Sequence, residues 1–167
     1  MFPYGVLDCT ELDLRGYAVA EAIIFIGLQG SGKTTYFEKH FADTHAHVSR
    51  DVQGTADLES ALVRECLQTG CSFVVDNTNA TRAVRAPYIR QAKAAGFKIR
   101  SYFFDTPVRT AIGRNNHRKD KKPIPVPAIL RAAKTLEPPT LSEGFDEIRT
   151  VNIESGSKGE SRNPAQK

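Results

Sequence analysis

Cysteine is scarce in this chain, and what there is fits no framework. Cys9, Cys66 and Cys71 are odd in number and lack metal-ligand spacing. That argues against a disulfide scaffold and a zinc centre and leaves reduced, mostly buried thiols in a cytosolic protein. No apolar run approaches the roughly 18 residues that a membrane span needs. The opening residues MFPY lack the charged-then-apolar layout of a secretory leader. A cytoplasmic protein is the expectation. Histidine is sparse as well: His45 and His47 stand one residue apart with no third ligand nearby, and they read as surface or loop residues. Basic residues are rare in the first half. Residues 1–81 carry five Lys and Arg against eleven Asp and Glu.

The missing positive charge is concentrated further on. Residues 82–134 hold fourteen Lys and Arg against two acidic residues, a local net charge of +12 within a chain of net +4. Such a segment is either a set of solvated helix faces or a surface that attracts a polyanion. The 167 residues, 40% hydrophobic and 25% charged, suit one ordinary globular domain.

Residues 27–34 read GLQGSGKT, a full match to G-x-x-x-x-G-K-[ST]. Loops of this kind wrap a nucleotide's phosphates in main-chain N–H groups, and glycines let the backbone come close to the anion. Lys33 is placed to reach the β- and γ-phosphates, and the Thr34 hydroxyl to ligate Mg²⁺. The context agrees. The loop follows AIIFI at 22–26, which reads as a buried parallel strand. It precedes a helix expected over 34–41, whose N-terminal N–H groups and dipole would face the phosphates.

The remaining pattern alternates strands and helices. Strands are expected at 46–49, 72–76, 98–104 and 147–153. Helices are expected at 57–68, 85–95, 107–116 and 126–136. Leu58, Ala61, Leu62, Glu65 and Cys66 form one helical stripe, and Val84, Tyr88, Ile89 and Ala92 another. Pro87 is tolerable only if its helix starts close to it. An α/β fold with a central parallel sheet flanked by helices follows. Residues 1–20 read as a lead-in in which Leu7, Leu12 and Leu14 could add a peripheral strand, 21–153 as the domain, and 154–167 as a disordered tail.

In open α/β sheets, ligands bind beyond the carboxyl ends of the strands. Asp76 closes the strand FVVD and either helps to hold Mg²⁺ beside Thr34 or only caps residues 77–79. Asp51 follows the second strand and is either a general base for an attacking hydroxyl or a helix-cap or turn residue. Arg114 and Arg118, four apart in RNNHRKDKK, would share a helix face. They serve either a movable lid over a transferring phosphate or a solvated basic helix end.

Taken together, GLQGSGKTT, Ser49-Arg50-Asp51, VVDNTNATRAVRAPYIRQAKAAG, RNNHRKDKKPIPVPAIL and EPPTLSEGFDEI resemble the polynucleotide 5′-hydroxyl kinases over roughly residues 22–153. The resemblance implies a P-loop kinase core with a basic lid. It implies ATP binding by Gly27, Gly30, Ser31, Gly32, Lys33, Thr34 and Thr35, with Mg²⁺ held at Thr34 and Asp76. Asp51 would activate a nucleic acid 5′-hydroxyl, with Arg50, Asp76 and Asn77 near the acceptor. Arg114 and Arg118 would contact the ATP phosphates. The expected partner is therefore a nucleic acid 5′ end. Ser49 replaces the family's usual Asn, and Pro87 falls in a helix usually without proline. No DxDGT-type phosphatase motif is present, so a separate phosphatase or ligase is a possible partner. The alternative is a P-loop kinase acting on a small molecule, of zeta-toxin-like or antibiotic-phosphotransferase-like type. A nucleotide-binding switch or adaptor without transfer chemistry is a third reading.

Overall fold

A computed structural model describes residues 19–117, 122–153 and 160–162. Residues 1–18 of the expected lead-in, Cys9 among them, and Arg118 lie outside these residues, as does most of the expected tail. The elements run β1 (Glu21–Gly27), α1 (Lys33–His40), β2 (Ala46–Val48), α2 (Arg50–Gln53), α3 (Ala56–Thr69), β3 (Phe73–Asp76), α4 (Arg82–Ala94), β4 (Lys98–Phe104), α5 (Val108–Asn116), α6 (Val126–Thr135), β5 (Glu147–Val151) and β6 (Glu160–Arg162). Among the described residues, no helix is long and apolar enough to cross a membrane.

The sheet order is β2-β3-β1-β4-β5-β6. The first five strands are mutually parallel, and β6 pairs antiparallel with β5. β6 is a strand within the segment expected to be a disordered tail. β1 lies between β3 and β4, so the loop leaving its carboxyl end opens at the middle of the sheet's C-terminal edge.

Strand alternation divides the core into two layers. Ala22, Ile24 and Ile26 of β1 join Phe73, Val75, Val63, Cys66, Ile89 and Ala92 on one face. Ile23 and Phe25 join Phe37, Val74, Tyr102 and Phe104 on the other. α3 and α4 therefore cover the first face, and α1 covers the second. This assignment positions the chemistry. Val74 points toward α1, so Asp76, two residues on, points the same way.

Two helices differ from expectation. α3 buries Glu59, Val63 and Cys66, while Leu58 is 56% exposed, so its inward face is rotated from the apolar stripe. α4 starts at Arg82, where Thr81 caps the Val84 N–H, and Pro87 stands inside the helix past its first turn. Val84, expected on the inward stripe, is half exposed. Arg85 is fully buried in its place. The Arg85 guanidinium donates to both carboxylate oxygens of Glu143 at 2.7 and 2.8 Å. It also reaches the carbonyls of Asn79 and Glu137 at 3.0 Å, tying the loop after β3 to the segment before β5.

Candidate functional site

The phosphate loop is shaped by close contacts that only glycine permits. Gly30 has φ +80°, and a Cβ there would lie 2.4 Å from the Ala111 carbonyl oxygen of α5. Gly32 has φ +93° and serves as N-cap of α1 with no side-chain cap. The first turn of α1 carries no acidic residue. Its N–H groups and positive dipole end are thus left for an outside anion. Lys33 Nζ folds over its own loop and donates to the carbonyls of Gly27 and Leu28 at 2.9 and 2.7 Å. It also lies 3.3 Å from Ser31 Oγ, and Ser31 is fully buried.

A cleft of about 690 Å³ opens on this loop, with Gly30, Gly32, Lys33, Thr34 and Thr35 along one side. Arg50, Asp51, Asp76 and Asn77 line it as well, and Arg114 contributes from α5. The residues singled out on the sequence therefore share one cavity, except that Gly27 and Ser31 support the loop from behind. Arg118 lies outside the described residues.

Thr34 Oγ1 donates to Asp76 Oδ2 at 2.8 Å. Asp76 is buried, and its partners are side chains across the sheet edge rather than residues 77–79, so the cap alternative does not describe it. A hydroxyl and a carboxylate oxygen side by side, next to a phosphate loop, suit Mg²⁺, which takes few protein ligands and keeps its other positions for water and phosphate oxygens. No cluster of three or more His, Cys, Asp or Glu with metal-binding geometry occurs among the described residues. The fit extends to the nucleotide: Arg114 Nη2 donates to the Ile153 carbonyl at 2.6 Å, while Nη1 is buried without a hydrogen-bond partner among the described residues. A buried, unpartnered guanidinium N–H at a phosphate cleft is a place for an anion.

His47 was expected at the surface or in a loop. It sits in β2 with its ring stacked on Phe37 at 3.9 Å, and its Nε2 lies 3.0 Å from Asp76 Oδ2. Its place between the apolar Ala46 and Val48 was the available signal, since a period of two turns it to the α1 face. His45 is buried as well, between Thr44 and Glu21.

Asp51 lies in α2, a single helical turn directly after β2. The N–H of Arg50 donates to Asn77 Oδ1 at 3.0 Å. The Arg50 Nε pairs with Glu59, whose other oxygen accepts from Asn77 Nδ2. Glu59 is 1% exposed and was missed on the sequence, where it reads as one more acid on a helix surface. Asn77 thus brackets α2 to β3 and fixes the turn that carries Asp51 into the cleft. Tyr88 also lines the cleft. Burial, with the Glu59 carboxylate beside it, pushes its phenol above the usual range, so it is neutral at physiological pH.

Comparison with known proteins agrees with this fold. A protein of Acanthamoeba polyphaga mimivirus, named as a bifunctional polynucleotide phosphatase/kinase, is 30% identical over 140 residues, covering 80% of this chain and 33% of that protein. The chain thus spans about a third of the length of the curated relatives it matches. Chaetomium thermophilum Kti12, solved in complex with ADP-AlF3, superposes with a TM-score of 0.61 at 18% identity over 79% of this chain and 89% of its own. A gluconokinase from Sinorhizobium meliloti 1021 superposes with a TM-score of 0.56 at 18% identity over 81% and 83%. The fold is that of the P-loop kinases. Residues 43–139 match the family model described as AAA domain, and the chain belongs to that family.

Proposed function

We propose that the protein is an ATP- and Mg²⁺-dependent kinase that transfers the γ-phosphate to a 5′-hydroxyl of DNA or RNA. The observation that carries this is the shared cleft. The phosphate loop, the Thr34–Asp76 pair and Asp51, on a turn braced by Asn77 and Glu59, all line it. The acceptor class rests on the polynucleotide phosphatase/kinase relative and on the +12 charge of residues 82–134.

Thr34 and Asp76 would hold Mg²⁺, which when bound would supply charge neutralisation for the phosphates. The α1 N-terminus and the loop N–H groups bind the β- and γ-phosphates, and Lys33 exchanges its carbonyl partners for phosphate oxygens. Asp51 accepts the proton of the 5′-hydroxyl as its oxygen attacks the γ-phosphorus, and the bond to the β–γ bridging oxygen breaks. Arg114 stabilises charge that develops on the transferring group. Arg50 positions the acceptor.

The test is incubation with γ-labelled ATP, Mg²⁺ and single-stranded DNA, RNA and overhang oligonucleotides bearing 5′-hydroxyls. Label at the 5′ end is the expected result. Asp51→Ala should lower transfer by about 10²–10⁴-fold with ATP affinity kept. Transfer to a small hydroxyl compound, with none to any oligonucleotide, would replace this reading with the small-molecule one.

A further inference from the structure

The inward side of α4 is taken by Arg85, Ile89 and Ala92, which are buried. Val84 and Tyr88, four residues apart, stand one above the other on the adjoining face. Both line the cleft, together with Ala80 and Ile124. Val84 is 50% exposed, and Tyr88 is half-buried, packed against the core layer that α4 covers. Among the described residues, no other ring stacks on Tyr88 and its hydroxyl makes no hydrogen bond. The Glu59 carboxylate and the Arg50 guanidinium both act on its phenol, so this apolar stripe lies beside the turn that carries Arg50 and Asp51. The stripe therefore belongs with the acceptor groups of the cleft.

We propose that Val84 and Tyr88 form the platform on which the base of the acceptor's 5′-terminal nucleotide stacks. A valine beside a tyrosine offers little to a small, polyhydroxylated acceptor, because each hydroxyl laid against it would lose its water without gaining a partner. A nucleobase has the opposite requirement. Its flat faces stack on an aromatic ring and shed water as they do so. Stacking of this kind accepts every base, since each has a π-face. The platform thus recognises that a base is present and not which one. The inference rests on the 5′-hydroxyl kinase reading of the cleft and names the part of the acceptor that this reading leaves unassigned.

The test measures initial rates of phosphoryl transfer from ATP to two single-stranded oligonucleotides, identical except that in one the 5′-terminal nucleotide is abasic. The native chain should show a KM about tenfold higher for the abasic strand. Tyr88→Leu removes the ring and keeps an apolar side chain on the core. It should raise the KM of the ordinary strand about tenfold and leave the KM values of the abasic strand and of ATP unchanged. Val84→Ala, at an exposed position, should give a smaller loss of the same kind, and Tyr88→Phe should keep the preference for a base. Melting temperatures report whether Tyr88→Leu is folded. Equal KM values for the two strands in the native chain overturn the inference, as does a loss in Tyr88→Leu that falls on both strands alike. Either result leaves the acceptor reading standing. No transfer to any oligonucleotide would overturn that reading and this inference with it.

Discussion

The Thr34 hydroxyl and the Asp76 carboxylate meet at 2.8 Å across the edge of the sheet, one from the first turn of α1 and the other from the end of β3. His47 Nε2 reaches the same Asp76 oxygen at 3.0 Å. A carboxylate only accepts, so both neighbours donate, and Asp76 Oδ2 is held from two sides. Asp76 itself lines the cleft.

That arrangement separates two roles. Asp76→Asn, which cannot balance a cation's charge, should reduce phosphoryl transfer by about a hundredfold or more. His47→Ala should raise the Mg²⁺ concentration for half-maximal activity by about tenfold. His47→Asn keeps a donor and should recover much of that loss. Mg²⁺ titration of initial rates separates the three outcomes. An unchanged Mg²⁺ dependence in His47→Ala would show that the histidine does not orient Asp76.

The +12 charge of residues 82–134 should appear as salt sensitivity. If Lys and Arg side chains contact oligonucleotide phosphates, log affinity falls linearly with log salt, by a slope of about 0.7 per contact for single strands. Fluorescence anisotropy from low to moderate salt measures it. A flat response would leave these charges as solvated faces.

Arg85 and Glu143 hold the loop after β3 from behind. Both side chains are almost fully buried. Arg85→Met would strand the Glu143 carboxylate and should cost about 3–5 kcal/mol of stability, measured by urea denaturation. Replacing Glu143 by Leu in the same chain should restore part of the loss.

The same pair predicts acid sensitivity. Burial works to raise the Glu143 carboxyl, but the Arg85 bonds, the Thr140 N–H and the charges of Arg85 and Arg82 outweigh it and hold the carboxyl below its ordinary value. A depressed folded value means that the stabilisation is fully present above the unfolded carboxyl value of about 4.3. It is lost as pH falls through the lower folded value. Denaturation midpoints should therefore drop below about pH 4 in the native chain and less steeply in Glu143→Gln.

Burial, with help from Cys71, pushes the Cys66 thiol up to about 12. Cys66 is only 2% exposed, so iodoacetamide at pH 8 should leave it unmodified in the folded protein. Labelling should follow unfolding, and mass spectrometry of native and denatured samples distinguishes the two.

The phosphate loop was legible because its chemistry is local. GLQGSGKT carries its own geometry in glycines, and the apolar run before it marks a strand. Asp51, Asp76 and Arg114 stood out by their places at strand ends and in a basic helix, and all three line the cleft. The parallel sheet followed from alternating elements. Gly30 against Ala111 then shows what the second glycine is for.

Other residues depend on partners distant in sequence. Glu59 reads as a surface acid until Arg50 and Asn77, nine and eighteen positions away, are folded around it. Leu58 and Val84 fit apolar stripes, but α3 and α4 turn buried charges inward beside them, since paired Glu59 and Arg85 satisfy their bonds only there. His47 owes its meaning to the Asp76 carboxylate and the Phe37 ring that it meets. The sequence alone determined the donor loop and the α/β class, because both arise from neighbouring residues and short periods. The tertiary structure decided which polar side chains are buried, which are braced and which open into the cleft, because hydrogen-bond satisfaction is settled only when distant segments meet.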